Sequence, residues 1–136
     1  MNITEKMNVL VSRFRNIGID DFVISAGAGL FLHGLREKFD DIDIACNDAI
    51  FDEMLAQGCV SHYAEVYVVE IITIEDLNID IHRDAVTAAK PSITIEGVRV
   101  LTLEELLKEK EKLFDLLGRE KDMKDIINIQ KAIESR

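Results

Sequence analysis

Residues 24–44 read ISAGAGLFLHGLREKFDDIDI, and this stretch decides the fold. Its apolar beginning, its turn of small residues and the apolar residues after that turn predict a strand followed by a helix. Residues 41–45 then alternate between acidic and apolar side chains, which indicates a strand with one acidic and one apolar face. Asp41 and Asp43 are therefore expected to project from the same face of that strand.

The rest of the sequence predicts further strands and additional helices. A first helix is expected over about residues 4–16, because apolar residues recur there at helical spacing. Residues 60–74 are rich in Val, Ile and Tyr and predict one or two strands with a break near Glu70. Residues 77–82 alternate again, so Asp80 is expected on a polar strand face.

The C-terminal part changes from strand to helix patterns. Glu96–Gly97 separates two apolar runs and predicts a hairpin. Thr102 and Glu105 fit a capping box, and two helical patterns follow, separated by Gly118. Together the patterns predict an α/β (α+β) fold in which a mixed β-sheet is flanked by helices, with two helices at the C-terminus.

Length and charge limit the class of protein. The 136 residues correspond to one domain, 1–136, with a core over about 20–101 and a C-terminal helical part over about 102–136. The formal net charge of -10 argues against a long nucleic acid as a partner, since an acidic surface repels phosphate backbones. A small nucleotide bridged by a metal ion remains compatible, because a cation reverses the local field.

The sequence also favours one compartment. The N-terminal residues lack the apolar segment of a signal peptide, and no stretch approaches the ~20 apolar residues of a membrane-spanning helix. Cys46 and Cys59 form no CxxC pair and suit a reducing environment. We therefore expect a cytoplasmic protein without a membrane segment.

The acidic strand residues are candidates for a metal site. Residues two apart on a strand have Cα atoms ~6.6 Å apart, so Asp41 and Asp43 can converge on one or two divalent ions. Oxygen-only ligation suits Mg²⁺ or Mn²⁺, and Asp80 is the natural third carboxylate. Such sites favour in-line phosphoryl chemistry. The alternative is a solvated strand face without a ligand, which is common for an isolated Asp-x-Asp.

Residues 24–36 and 40–44 resemble the nucleotidyltransferase superfamily, which has the polymerase-beta-like fold. They match its hydrophobic strand, its Gly-Gly/Ser turn and its Asp-hydrophobic-Asp strand, and residues 79–81 fall where the third carboxylate belongs. Residues 32–36, Leu-His-Gly-Leu-Arg, are similar to small stand-alone members grouped with abortive-infection-type nucleotidyltransferases. Residues 103–122 resemble the helical tail of the same group.

The resemblance implies a catalytic metal site. Asp41, Asp43 and Asp80 would bind Mg²⁺ or Mn²⁺, and Asp80 would help to deprotonate an acceptor hydroxyl. Two positions depart from the family pattern. Ala26 stands where the family often has its first glycine, and Asp40 stands where serine or threonine usually precedes the acidic pair.

The resemblance also implies a nucleotide site. Gly27 and Ala28 in the turn would bind nucleotide phosphate, and Lys110 would reach toward the triphosphate. Arg36 is a candidate for bidentate phosphate contact. For Arg36 the alternative is a solvated surface position, and for Lys110 it is the charged outer face of a helix.

Two histidines have more than one interpretation. His33 either packs or caps at the start of an apolar helix or contacts nucleotide. His82 shares a strand face with Asp80, where it orients the Asp80 carboxylate, contacts substrate or is exposed to solvent.

The resulting hypothesis is a Mg-dependent nucleotidyltransferase. It would move a nucleoside monophosphate from a nucleoside triphosphate to a hydroxyl of a small-molecule or protein acceptor, and a homodimer would supply a wall for that acceptor. The first alternative is a catalytically inactive protein of the same fold that binds nucleotide or a protein partner. The second is a small metal-dependent phosphodiesterase. The sequence identifies neither the acceptor nor the nucleotide.

Overall fold

The computed structural model describes Glu5, Asn8 and residues 21–136 except Glu96. The helix expected over residues 4–16 lies outside the described residues, apart from Glu5 and Asn8, which are helical. Within the described part, no helix combines the length and the apolar character needed to cross a membrane.

Strands and helices alternate along most of the described chain. In order they are β1 (Val23–Ser25), α1 (Ala26–Leu32), β2 (Ile42–Cys46), α2 (Asp48–Ala56), β3 (Ser61–Ala64), β4 (Val69–Ile74), β5 (Ile79–Arg83), α3 (Ala85–Ala88), β6 (Ser92–Ile95), β7 (Val98–Leu101), α4 (Leu103–Leu117) and α5 (Glu120–Glu134). A single 3₁₀ turn, Glu75–Leu77, connects β4 to β5.

All seven described strands form one mixed sheet in the order β3-β4-β5-β2-β1-β7-β6. The pairs β2–β5 and β1–β7 are parallel, and the other neighbours are antiparallel. The predicted mixed sheet with flanking helices and two C-terminal helices is therefore confirmed. So is the predicted hairpin, since Ile95 pairs with Val98 and Gly97, just before Val98, has φ +83°.

The predicted break near Glu70 is present and separates two strands, β3 and β4. The expected break near Glu70 lies at residues 65–68, and Glu70 pairs with Tyr63 inside the β3–β4 hairpin. This turn contains no Gly, Pro or Asn, and Val68 itself takes the left-handed conformation at φ +55°. The residue types that normally mark such a turn are absent, so composition does not locate it.

The core lies on both faces of the central strands. Side chains alternate between the two faces of a strand, so Ile42 and Ile44 pack on one face while Ala45 packs with α4 on the other. Leu106 is fully buried in this second cluster. Asp43 lies two residues before Ala45, which places it on the sheet face that α4 covers.

Helix α4 begins and ends where its sequence predicts. The hydroxyl of Thr102 accepts a hydrogen bond from the backbone N–H of Glu105 at 3.3 Å, which caps the first turn. Gly118 ends the helix in the left-handed conformation at φ +63°. These two ends fix the length of α4, and its buried apolar residues, such as Leu103 and Leu106, set the face that packs on the sheet.

Candidate functional site

Three aspartates converge at the ends of two parallel strands. Asp43 on β2 lies directly opposite Asp80 on β5, and Asp41 immediately precedes β2. One carboxylate oxygen from each of the three residues lies within 4.8 Å of the other two. The neighbouring residues Ile42 and Ile79 are fully buried, and this anchors the strands so that the aspartates remain partly exposed.

The composition of this group fits a divalent cation. Three carboxylates this close repel one another unless a positive charge compensates them. Their donors are all oxygen, the ligand type that Mg²⁺ and Mn²⁺ prefer. The expected convergence of Asp41, Asp43 and Asp80 is therefore present in the structure, as a triad able to bind a divalent metal ion.

Two neighbouring side chains hold the triad in place. The hydroxyl of Thr73 on β4 donates to Asp80 Oδ1 at 2.7 Å, and His82 Nε2 lies 3.0 Å from Asp43 Oδ1. Burial lowers the pKa of His82, but the hydrogen bond to Asp43 and the surrounding negative charges outweigh burial and leave this pKa raised. The sequence pointed to Asp80 as the carboxylate that His82 would orient, but in the structure His82 pairs with Asp43, which lies on the parallel neighbouring strand.

Thr73 provides a direct test of the triad as a metal site. Thr73→Val removes the hydroxyl that orients Asp80 but keeps the side-chain shape, so we expect Mn²⁺ affinity to fall about tenfold, as for partners that orient metal ligands elsewhere. Titration of Mn²⁺ followed by electron paramagnetic resonance measures this. Thr73→Ser is the matched control and should retain the affinity of the wild type. Equal affinities in all three proteins would show that the hydroxyl does not support a metal ligand.

The turn between β1 and α1 lies beside the triad. Ser25 pairs with Asp43 across β1 and β2, and its hydroxyl lies 3.4 Å from the Asp43 carbonyl oxygen. The next residue, Ala26, donates its backbone N–H to Glu109 Oε1 on α4 at 2.8 Å. A Cβ at Gly27 would lie 2.7 Å from Arg36 Nη1, so only glycine fits without movement of that arginine.

Ala26 adopts a conformation that favours glycine. Its φ is +53°, in the left-handed region that costs a residue with a Cβ about 1–2 kcal/mol. Ala26→Gly removes this cost but increases the entropy of the unfolded chain, so we expect a net gain of about 0.5–1 kcal/mol in the free energy of unfolding.

Urea denaturation measures the effect at Ala26. Ala28→Gly is the matched control, because Ala28 lies inside α1 and should lose about 1 kcal/mol on the same substitution. A loss of stability in Ala26→Gly as large as that in Ala28→Gly would contradict the assignment of strain to Ala26.

Arg36 and Lys110 are the two cations expected to contact phosphate. Both form ion pairs with the carboxylate of Asp125 on α5. Arg36 Nη2 lies 2.5 Å from Asp125 Oδ2, and Lys110 Nζ lies 3.2 Å from the same oxygen. Arg36 remains partly exposed beside Gly27, whereas Lys110 is only 5% exposed. The structure therefore brings Arg36 to the turn and encloses Lys110 between α4 and α5.

Asp122 completes this buried ionic cluster. It accepts from Arg119 Nε at 2.8 Å and lies 3.4 Å from Lys110 Nζ. Burial acts to raise the pKa of Asp122, but the hydrogen bond from Arg119 and the charge of Lys110 hold this pKa below its ordinary value. The cluster of Arg36, Lys110, Arg119, Asp122 and Asp125 joins the two C-terminal helices to the turn.

His33 has a structural role in the described fold. Its Nε2 lies 2.8 Å from the carbonyl oxygen of Leu101, to which it donates a hydrogen bond, and burial lowers its pKa. It connects the end of α1 to β7. This is the packed histidine of the two interpretations open from the sequence.

Glu109 and Asp125 were not predicted from the sequence as site residues. Glu109 lies three residues after Leu106, beside the apolar stripe of α4, so an acidic residue at the edge of that stripe was an available signal. Asp125 lies three residues after Asp122, but its role depends on how α5 packs against α4, and neither helix pattern specifies that packing.

Comparison with known proteins supports the fold. No protein-family model and no curated protein matches the chain. It is similar to the Megavirus polyadenylate synthase, with 16% identity and a TM-score of 0.58 over 96% of this chain and 32% of that chain. It is also similar to a "putative nucleotidyltransferase" from Thermotoga maritima, with 16% identity and a TM-score of 0.54 over 100% of this chain and 97% of that chain.

These similarities establish the architecture. The chain has the nucleotidyltransferase fold, spans about a third of the Megavirus protein and matches nearly the whole Thermotoga protein in length. A subgroup of the abortive-infection type is not indicated by either structure and stays a prediction. At 16% identity, the similarities concern the fold alone.

Proposed function

We propose that the protein is a metal-dependent nucleotidyltransferase that transfers a nucleoside monophosphate from a nucleoside triphosphate to a hydroxyl group. The observation that carries the proposal is the convergence of Asp41, Asp43 and Asp80 in a chain with the nucleotidyltransferase fold. In the transfer, a bond forms between the acceptor oxygen and the α-phosphorus. The bond from that phosphorus to the bridging oxygen breaks, and pyrophosphate leaves.

The triad would hold one or two Mg²⁺ or Mn²⁺ ions. When bound, such ions supply positive charge that neutralises the phosphates and stabilises the transferring group. Asp41 and Asp43 would provide ligands from one strand and Asp80 from its parallel neighbour. Because Thr73 donates to Oδ1 of Asp80, Oδ2 of that carboxylate is the proposed position that receives the proton of the acceptor hydroxyl.

The remaining predicted site residues surround the β1–α1 turn. Gly27 and Ala28 are proposed to lie against the phosphates, and the position of Arg36 beside Gly27 supports a phosphate contact from its guanidinium. Lys110 would influence the phosphates indirectly, because it and Arg36 both pair with the carboxylate of Asp125. The negative charge of a bound triphosphate would then change how Arg36 and Lys110 pair with Asp125.

The acceptor is proposed to be a small molecule or a protein. The net charge of -10 disfavours a long nucleic acid, whose phosphates would be repelled. We also propose a cytoplasmic location, which the free thiols of Cys46 and Cys59 support. A homodimer is proposed as well, in which the second copy would supply a wall of the acceptor site.

A catalytically inactive nucleotide- or protein-binding protein of this fold is the second candidate. It is favoured by one observation, namely that Arg36 and Lys110 are already paired with Asp125. Fold alone does not separate the two functions.

Calorimetry with ATP, CTP, GTP and UTP tests the proposal. We expect at least one of the four to bind with Mg²⁺ and to bind more weakly when Mg²⁺ is omitted. Asp80→Asn should lose this binding, whereas Asp115→Asn, at an exposed position on α4, should keep it. Absence of binding to the wild-type protein would contradict nucleotidyl transfer. Binding without pyrophosphate release in the presence of acceptor pools would favour the second candidate.

A further inference from the structure

Glu109 reaches into the candidate site from a fixed position on α4. Leu106, one turn earlier on the same face, packs against Gly29, where an added Cβ would lie 3.2 Å from Leu106 Cδ2. This close contact holds α4 against α1. Glu109 is therefore placed over the β1–α1 turn, where its Oε1 accepts the Ala26 N–H at 2.8 Å.

The carboxylate of Glu109 is close to the triad as well as to the turn. Ala26 follows Ser25, which lies directly opposite Asp43 in the sheet. Burial raises the pKa of Glu109, the Ala26 N–H and the charge of Lys110 lower it, and the charge of Asp43 raises it. Because Glu109 binds the residue that follows the partner of Asp43 in the sheet, its carboxylate lies on the α4 side of the turn, near Asp43.

This position conflicts with the proposed substrate. Asp41, Asp43 and Asp80 would hold the metal ion, and phosphate oxygens bound to it would come near Asp43, on the side of the turn where Glu109 lies. Two anions in the same partly buried space repel each other strongly. Glu109 also engages the backbone donor of the turn nearest to Asp43.

We propose that Glu109 is an internal competitor of the nucleotide's phosphates, which must displace its carboxylate from Ala26 in order to bind. The proposal rests on the proposed function. Glu109 has a flexible side chain on a rigid helix, so its carboxylate can move away while α4 stays packed on α1. The residue sets nucleotide affinity by remaining in place until a phosphate replaces it.

Two substitutions separate the charge of Glu109 from its hydrogen bond. Glu109→Gln keeps an oxygen that accepts the Ala26 N–H but carries no charge, whereas Glu109→Ala frees that N–H. Glu111→Gln is the matched control, because Glu111 is an exposed acidic residue on the same helix. Circular dichroism and thermal unfolding verify that each variant is folded.

The experiment measures binding of ATP, CTP, GTP and UTP with Mg²⁺ by calorimetry. We expect Glu109→Gln and Glu109→Ala to bind at least one nucleotide about tenfold more tightly than the wild type, the scale of a single removed charge interaction. Glu111→Gln should match the wild type.

The other outcomes overturn it in distinguishable ways. If the wild type binds nucleotide through Asp43 and Glu109→Gln binds equally or more weakly, Glu109 is not a competitor, although the proposed function stands. If neither the wild type nor a folded Glu109 variant binds any of the four nucleotides, both the competition and the proposed function are wrong.

Discussion

Asp43→Asn is expected to lower the rate of pyrophosphate release from a nucleoside triphosphate by about a thousandfold, the scale of losing one electrostatic stabiliser of a transition state. Asparagine keeps the shape of the side chain but removes the charge that would hold a metal ion. The same substitution relieves repulsion among the three carboxylates, which lie within 4.8 Å of one another. Stability without metal should therefore stay equal or rise while activity falls.

A substitution that lowers activity while stability stays equal or rises identifies a residue that serves function rather than folding. A coupled colorimetric assay measures pyrophosphate release, and thermal unfolding without added metal measures stability. Asp115→Asn should change neither quantity, since Asp115 is an exposed residue of α4 that is not part of the triad. A variant Asp43→Asn that retains wild-type activity would exclude Asp43 from catalysis, and one that loses activity only because it unfolds would indicate a structural role.

Lys110→Met is expected to have the largest effect on stability. It leaves Asp122 and Asp125 buried without the ammonium that lies 3.4 Å and 3.2 Å from their oxygens. Breaking a buried ionic cluster typically costs about 3–5 kcal/mol, and we expect about 3 kcal/mol here. The lower end applies because Arg119 still pairs with Asp122 and Arg36 still pairs with Asp125.

Urea denaturation measures this loss. Lys108→Met is the matched control, since the Lys108 side chain is 70% exposed and pairs with Glu105 within one helix. Such a surface pair contributes about 1 kcal/mol or less. If Lys110→Met cost no more than Lys108→Met, Lys110 would not be the central cation of the cluster, and the helix–helix contact would depend on apolar packing alone.

The sequence predicted the triad because its signal is local. Strict alternation around Asp41, Asp43 and Asp80 determines which strand face each carboxylate occupies. Their meeting requires β2 and β5 to be parallel neighbours, with Asp43 opposite Asp80. The sequence did not predict that pairing, since no short-range pattern specifies which strands are adjacent, and the resemblance indicated only that residues 79–81 carry the third carboxylate.

The partners of the predicted cations could not be found from sequence alone. Lys110 stood out because a charged residue lies in the apolar stripe of α4. Its partners Asp122 and Asp125 belong to the next helix, and their contact depends on the packing of α4 against α5. The hydrogen bond between Ala26 and Glu109 spans 83 positions in the chain and is likewise a product of tertiary packing.

Asp41, Asp43 and Asp80 are proposed to form the metal site of a nucleotidyltransferase. The most direct test is anomalous diffraction from crystals grown with Mn²⁺ and a non-hydrolysable nucleoside triphosphate. We expect an anomalous peak within about 2.0–2.2 Å of oxygens from all three carboxylates, the distance range of small hard cations, with nucleotide phosphate on the same ion. A nucleotide bound elsewhere, or no peak at the triad, would contradict the claim.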